Sequence, residues 1–252
     1  MPAHRVLAAA LFFLSAMAIM TESARTADFR VDNRVVADGR SQPQSQGVTI
    51  FSDGLVFDFL NEPAEVIVFD KAHRRFILLE IGRHVRCEIS IDDVEAFVNR
   101  VKQRLAGHPN PTVKWLADPL FEESFARETA ELTLKSPSII YQVRVQATDA
   151  AVAAQYREFS DWYAQFNLAL NPASRPPFPR MMLNEAIERR HGIAKEVHLS
   201  ATLSAKDAPV KVASYHQLAA ELDAADKNRV AEVRQHLRNF QSVSFREYRQ
   251  GK

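Results

Sequence analysis

The chain has 252 residues, of which 46% are hydrophobic and 25% are charged, and its formal net charge is +1. This near-neutral balance argues against nucleic acid or an anionic membrane as a partner bound by bulk electrostatics. A single cysteine cannot form an internal disulfide, so the stability of the fold must come from a hydrophobic core.

Residues 1–27 have the layout of a secretory signal peptide. Basic residues His4 and Arg5 precede an apolar run over residues 6–20, and a stretch of small and polar residues ends near Ala27. The apolar run is shorter than the roughly 20 residues that a transmembrane helix needs. We therefore predict export to the periplasm or the extracellular space, with no membrane span left after cleavage.

Residues 28–252 contain no linker rich in serine or glycine, which favours a single domain. Up to Ser90, about six runs of apolar or β-branched residues alternate with turn signals such as Asp53-Gly54 and Gly82. These runs predict an antiparallel meander.

Helical periodicity begins after Ser90 and predicts a helix over residues 91–106. Strands follow within residues 121–147, and a long helix rich in aromatic residues begins after Asp149. The pattern then predicts a helix over 180–192, a strand pair within 196–216 and a last helix over 224–239. Runs of strands followed by helices predict an α+β fold around an antiparallel sheet.

Two strands of the meander are apolar on both faces. In residues 65–69 and 75–80, apolar side chains occupy successive positions instead of alternating with polar ones. A sheet with one solvated face alternates, so both faces of these strands should be covered. The cover is either a fully packed core or, on one face, the wall of an apolar cavity.

No motif for catalysis, nucleotide binding or metal binding occurs, and we predict no enzymatic activity, no metal and no cofactor. Cys87 lies on a predicted strand with apolar neighbours, which favours a buried structural thiol. The histidines His73, His84, His198 and His216 are scattered, and we interpret them as turn or surface residues. A hydrolase would need one of them bonded to a carboxylate in a cleft.

Several stretches resemble exported proteins of planctomycete-type bacteria, a group with no activity to transfer. They are "VIVFDKAHRRFILLE", "EISIDDVEAFV", "FEESF" with "ELTL", and "QYREFSDWYAQFNLALNP" with "PPFPR". More distantly, the "FDKAHRRFILL" hairpin and the order of elements are similar to the LolA/LppX-like periplasmic proteins. That resemblance implies a curved, half-barrel-like antiparallel sheet with helices on its concave side, and an apolar hollow that binds lipids or acyl chains.

These observations predict an exported binding protein that holds a lipid or an acyl chain between sheet and helices. The side chains expected to line the hollow are Phe57, Phe59, Val68, Phe76, Leu78, Trp162, Tyr163 and Phe166. The alternative is a cell-envelope structural or interaction module with a packed core, which contacts a protein partner through edge strands or the charged tail "FREYRQGK".

Overall fold

The computed structural model describes residues 26–37, 42–61, 64–202 and 208–251. Nearly all of the predicted signal peptide, residues 1–25, lies outside the described residues, so its prediction stays untested. Among the described residues, no helix is both long enough and apolar enough to cross a membrane.

Twelve strands form one open sheet in the order β12-β6-β5-β4-β3-β2-β1-β11-β10-β9-β8-β7. All neighbours are antiparallel except β12 and β6, which are parallel. The strands are β1 (Phe29–Ala37), β2 (Ser45–Ser52), β3 (Leu55–Leu60), β4 (Glu65–Asp70), β5 (Arg75–Glu80), β6 (Val85–Ser90), β7 (Glu122–Ala126), β8 (Glu131–Lys135), β9 (Ile139–Ala147), β10 (Gly192–Ala201), β11 (Val210–Ala219) and β12 (Gln241–Ser242).

Six helices pack on this sheet among the described residues, which confirms the predicted α+β class. They are α1 (Ile91–Ala106), α2 (Pro111–Trp115), α3 (Ala150–Leu170), α4 (Phe178–Glu188), α5 (Ala224–Asn239) and α6 (Phe245–Gln250). The predicted bounds of α1 and α5 are confirmed. Ser90 caps α1 by accepting a hydrogen bond from the backbone N–H of Asp92, and Asp223 and Asp226 form a capping box at the start of α5.

Strands β3 to β5 are covered on both faces, as their composition predicted. One face, which we call the α3 face, carries Phe51, Phe69 and Phe76 and packs against α1 and α3. The opposite face, the α5 face, carries Phe57 and Val68 and packs against α5. Paired residues of neighbouring strands share a face, so this division runs through the whole sheet.

Strands β8 to β10 are covered on one face only among the described residues. Leu132, Tyr141 and Val143 pack beside Leu183 and Ile187 of α4 on the α3 face. Gln142 and Arg144 alternate with them and are exposed on the other side, which we call the open face.

Three short elements were not predicted: α2, β12 and α6. The tail proposed as a docking segment forms α6, and its Tyr248 is buried against the core. The Tyr248 hydroxyl donates to Glu65, and the Arg83 guanidinium donates to the Tyr248 carbonyl oxygen at 2.7 Å. These contacts hold the tail on the domain beside β6.

Candidate functional site

The eight side chains predicted to line one hollow do not lie together. Phe57, Phe59 and Val68 are buried on the α5 face, in the cluster that packs against α5. The β4–β5 hairpin pairs Val68 with Ile77, so Val68 cannot share a face with Phe76. The sequence prediction selected residues from both faces because it did not use the hairpin register.

Three more of the predicted residues fill a solid core on the α3 face. Phe76 and Phe166 stack with ring centroids 4.1 Å apart, and both are inaccessible to solvent. Leu78 belongs to the same cluster. Side chains packed at this distance leave no room for a ligand between them.

Trp162 and Tyr163 lie on different sides of α3. Trp162 is partly buried and lines a shallow groove with Met181 of α4. Tyr163 points toward the sheet and lines a cavity between α3 and strands β1, β2, β3 and β11. Tyr163 is therefore the one predicted residue that the structure places at this cavity.

The cavity has a volume of about 300 Å³ and a mixed lining. Val35, Leu60, Phe159 and Ala164 contribute apolar surface. Polar side chains reach it from every neighbouring element: Asn33, Ser45, Thr49, Asp58, Tyr156, Ser160, Tyr163, Asn167, Arg180 and His216. Its size falls at the lower end of the range of ligand pockets, and its combination of apolar walls with a few polar groups is typical of them.

A chain of hydrogen bonds crosses four strands on the floor of this cavity. Ser214 Oγ lies 3.1 Å from His216 Nε2, and His216 Nδ1 lies 2.7 Å from Asn33 Oδ1. The Asn33 amide nitrogen donates to Thr49 Oγ1 at 2.8 Å, and the Thr49 hydroxyl donates to Asp58 Oδ1 at 2.7 Å. Because Asn33 Oδ1 must then accept, His216 carries its proton on Nδ1 and every donor is directed toward Asp58.

Burial changes the acid–base behaviour of the groups on this chain. Asp58 is 5% exposed, and burial raises the pKa of its carboxyl group although hydrogen bonds from Thr49 and Tyr163 oppose the rise. Burial, together with the positive charge of Arg180, lowers the pKa of His216 to about 3. His216 is therefore neutral at physiological pH.

Arg180 supplies a permanent positive charge to the cavity. It lies in the first turn of α4, and its Nε donates to Asn184 Oδ1 at 2.9 Å. The buried Asn184 donates in turn to Asp161 Oδ1 at 2.7 Å. These two hydrogen bonds orient the guanidinium.

The histidines and the cysteine agree with the sequence interpretation only in part. Burial raises the pKa of the Cys87 thiol, and His73 has an exposed ring that pairs with Asp70 at 2.8 Å. The prediction of a surface position is wrong for His216, which lies under α3. Its ring bonds to Asn33 instead of a carboxylate, so the histidine–carboxylate pair of a hydrolase is not formed at this place.

No group of three histidine, cysteine or acidic side chains within the described ranges has the geometry of a metal site.

The sequence analysis did not predict the chain of hydrogen bonds from Ser214 to Asp58, because its members come from four strands. One signal was present in the sequence: Asp58 interrupts the apolar strand "LVFDFL", and a carboxylate there must be buried and bonded.

No family model matches the chain, and no curated protein matches it. Among solved structures, one similar chain is a LolA superfamily protein from Nitrosomonas europaea. The alignment covers 80% of this chain and 89% of that chain, with 8% sequence identity and a TM-score of 0.25. This is a distant LolA-like resemblance. None of these comparisons supports the resemblance to planctomycete-type proteins.

Proposed function

We propose that the protein is an exported, non-enzymatic binding protein that holds a lipid or acyl chain in the cavity between α3 and strands β1, β2, β3 and β11. One observation carries the proposal: a space of about 300 Å³, lined in part by apolar side chains, opens beside an otherwise solid core. Removing an apolar chain from water would supply the binding free energy, at about 0.8 kcal/mol for each CH₂ group.

The ligand would contact the lining of this cavity and not the whole set of eight residues predicted from the sequence. Phe159, Leu60 and Val35 would contact the chain, and Tyr163 would border it. The stacked pair Phe76 and Phe166 would be the solid wall beyond Phe159 and would not touch the ligand.

A cavity-filling substitution tests this location. Ala164 lines the cavity from α3, whereas Ala154 is exposed on the other side of the same helix. Ala164→Leu should reduce binding of dodecanol at least about tenfold, because the added side chain occupies ligand space. Ala154→Leu, the matched control, should bind like the unsubstituted protein.

Isothermal titration calorimetry would measure both affinities, with circular dichroism confirming that each variant is folded. Native mass spectrometry of the protein recovered from the exported fraction would show whether a lipid-sized ligand co-purifies. Equal binding by the two variants would place the ligand elsewhere.

The alternative function, a cell-envelope interaction module, is favoured by a different observation. Six of the eight side chains expected to bind a ligand are instead packed in the two clusters that cover β3 to β5. If the unsubstituted protein takes up neither dodecanol nor dodecanoate, this module becomes the better account.

A further inference from the structure

The Arg180 guanidinium has donors to spare at the cavity. Its Nε is occupied by Asn184, but Nη1 and Nη2 make no hydrogen bond or ion pair with any residue of the described ranges. Two arginines near it are paired: Arg157 contacts Asp161 and Glu188, and Arg189 contacts Glu123. Arg180 is thus an oriented cation whose Nη1 and Nη2 can donate hydrogen bonds to a ligand.

The position of Arg180 in α4 does not stabilise its positive charge. A cation in the first turn of a helix is opposed by the helix dipole, whose N-terminal end is positive. The first turn of α4 contains no acidic residue, and no side chain caps its start. An anion bound at Arg180 would therefore be favoured by the guanidinium and by the end of α4 together.

The remaining groups of the cavity indicate where an anion can sit. His216 is neutral, and the positive charge of Arg180 contributes to lowering the pKa of its ring. The same charge opposes the rise that burial causes in the pKa of the Tyr156 hydroxyl. Asp58 accepts hydrogen bonds from Thr49 and Tyr163 and would repel a second negative charge when ionised. The anion is therefore favoured beside Arg180 and disfavoured beside Asp58.

We propose that Arg180 binds the carboxylate of a single-chain amphiphile, such as a fatty acid, whose apolar chain lies against Phe159, Val35 and Leu60. This inference rests on the binding function proposed above. One guanidinium presents its two Nη groups as a fork that matches one carboxylate, and a charge-assisted pair of this kind is stronger than a neutral hydrogen bond. The ligand class is thereby narrowed from any lipid to a single-chain acid.

The test compares two probes with the same chain and different head groups, dodecanoate and dodecanol, at about pH 8, where a carboxylic acid is ionised. The unsubstituted protein should bind dodecanoate at least about tenfold more tightly than dodecanol. Arg180→Gln should weaken dodecanoate binding by about tenfold to a hundredfold and leave dodecanol binding unchanged. Arg246→Gln removes an exposed charge on α6 and is the control for net charge.

The outcomes separate the two proposals. If neither probe binds, the binding function itself fails. If both bind equally well, or if Arg180→Gln binds dodecanoate like the unsubstituted protein, the binding function survives and the acid head group is refuted. Should Arg180→Gln fail to fold, the preference of the unsubstituted protein for dodecanoate over dodecanol decides the question alone.

Discussion

Strands β4 and β9 show how the number of covered faces is encoded in a strand. All six residues of β4 are buried, because α3 lies over one face and α5 over the other. In β9, buried Tyr141 and Val143 alternate with exposed Gln142 and Arg144. Continuous apolar sequence thus marks a strand between two layers, and alternation marks a strand with one open face.

The composition of a strand does not decide whether its covered face packs as a core or borders a cavity. Beside the solid core of β4 and β5, the same α3 face carries Asn33, Thr49 and Asp58 on the neighbouring strands. The cover there leaves a cavity instead of a packed interface. A covered face can therefore hold either a core or a site, depending on a few polar positions.

The strongest contrast should come from truncating one side chain in each region. Phe57 is inaccessible to solvent on the α5 face, whereas Gln142 is exposed on the open face. Phe57→Ala should lower the free energy of unfolding by about 3–5 kcal/mol, because it leaves a cavity under α5. Gln142→Ala should change it by less than about 0.5 kcal/mol in the same urea titration. A loss below about 1 kcal/mol for Phe57→Ala would mean that α5 does not cover this face tightly.

A pH titration should distinguish the histidine under α3 from one on the open face. The pKa of His216 is about 3 in the folded protein against 6.5 ordinarily, so between these values the unfolded chain binds more protons. Stability should therefore fall as pH falls below about 6.5, by at most about 1.4 kcal/mol for each pH unit from this group.

His216→Gln should remove that contribution, so that its unfolding free energy declines less steeply between about pH 6 and pH 4. The raised pKa of Asp58 acts in the opposite direction, because its folded carboxyl binds a proton more readily than the unfolded one. His198→Gln on the open face retains His216 and should keep the steeper decline. Parallel curves for the His216→Gln variant and the unsubstituted protein would contradict the position of His216 under α3.

The smallest expected effect on the free energy of unfolding comes from the capping residue of α5, the helix that covers the α5 face. Asp223 accepts a hydrogen bond from Asp226 N at 2.8 Å and caps α5, whereas Asp149 at the start of α3 makes no side-chain capping bond. Asp223→Ala should lower the free energy of unfolding by about 1 kcal/mol, and Asp149→Ala by clearly less. Thermal unfolding of both variants would measure the difference. Equal losses would show that the capping bond does not stabilise α5.

The sequence was sufficient for the elements whose signals are local. The meander up to Ser90, the bounds of α1 and α5, and the double burial of β4 and β5 all follow from periodicity, capping residues and turn residues within a few positions. The short elements α2, β12 and α6 were missed because so few residues produce no period, and α6 is held by contacts of Tyr248 with Glu65 and Arg83 far away in the chain.

Only the tertiary structure decided where the cavity lies and which side chains line it. Of the eight residues expected at the hollow, Tyr163 alone lines the cavity, and the polar chain joins Asn33 to His216 across 183 positions. Hairpin register and the pairing of β1 with β11 bring these side chains to one face, and Arg180 arrives from α4. Local periodicity determines which residues are buried, because it depends on the backbone repeat. It does not determine which buried residues meet, because that depends on contacts between strands remote in sequence.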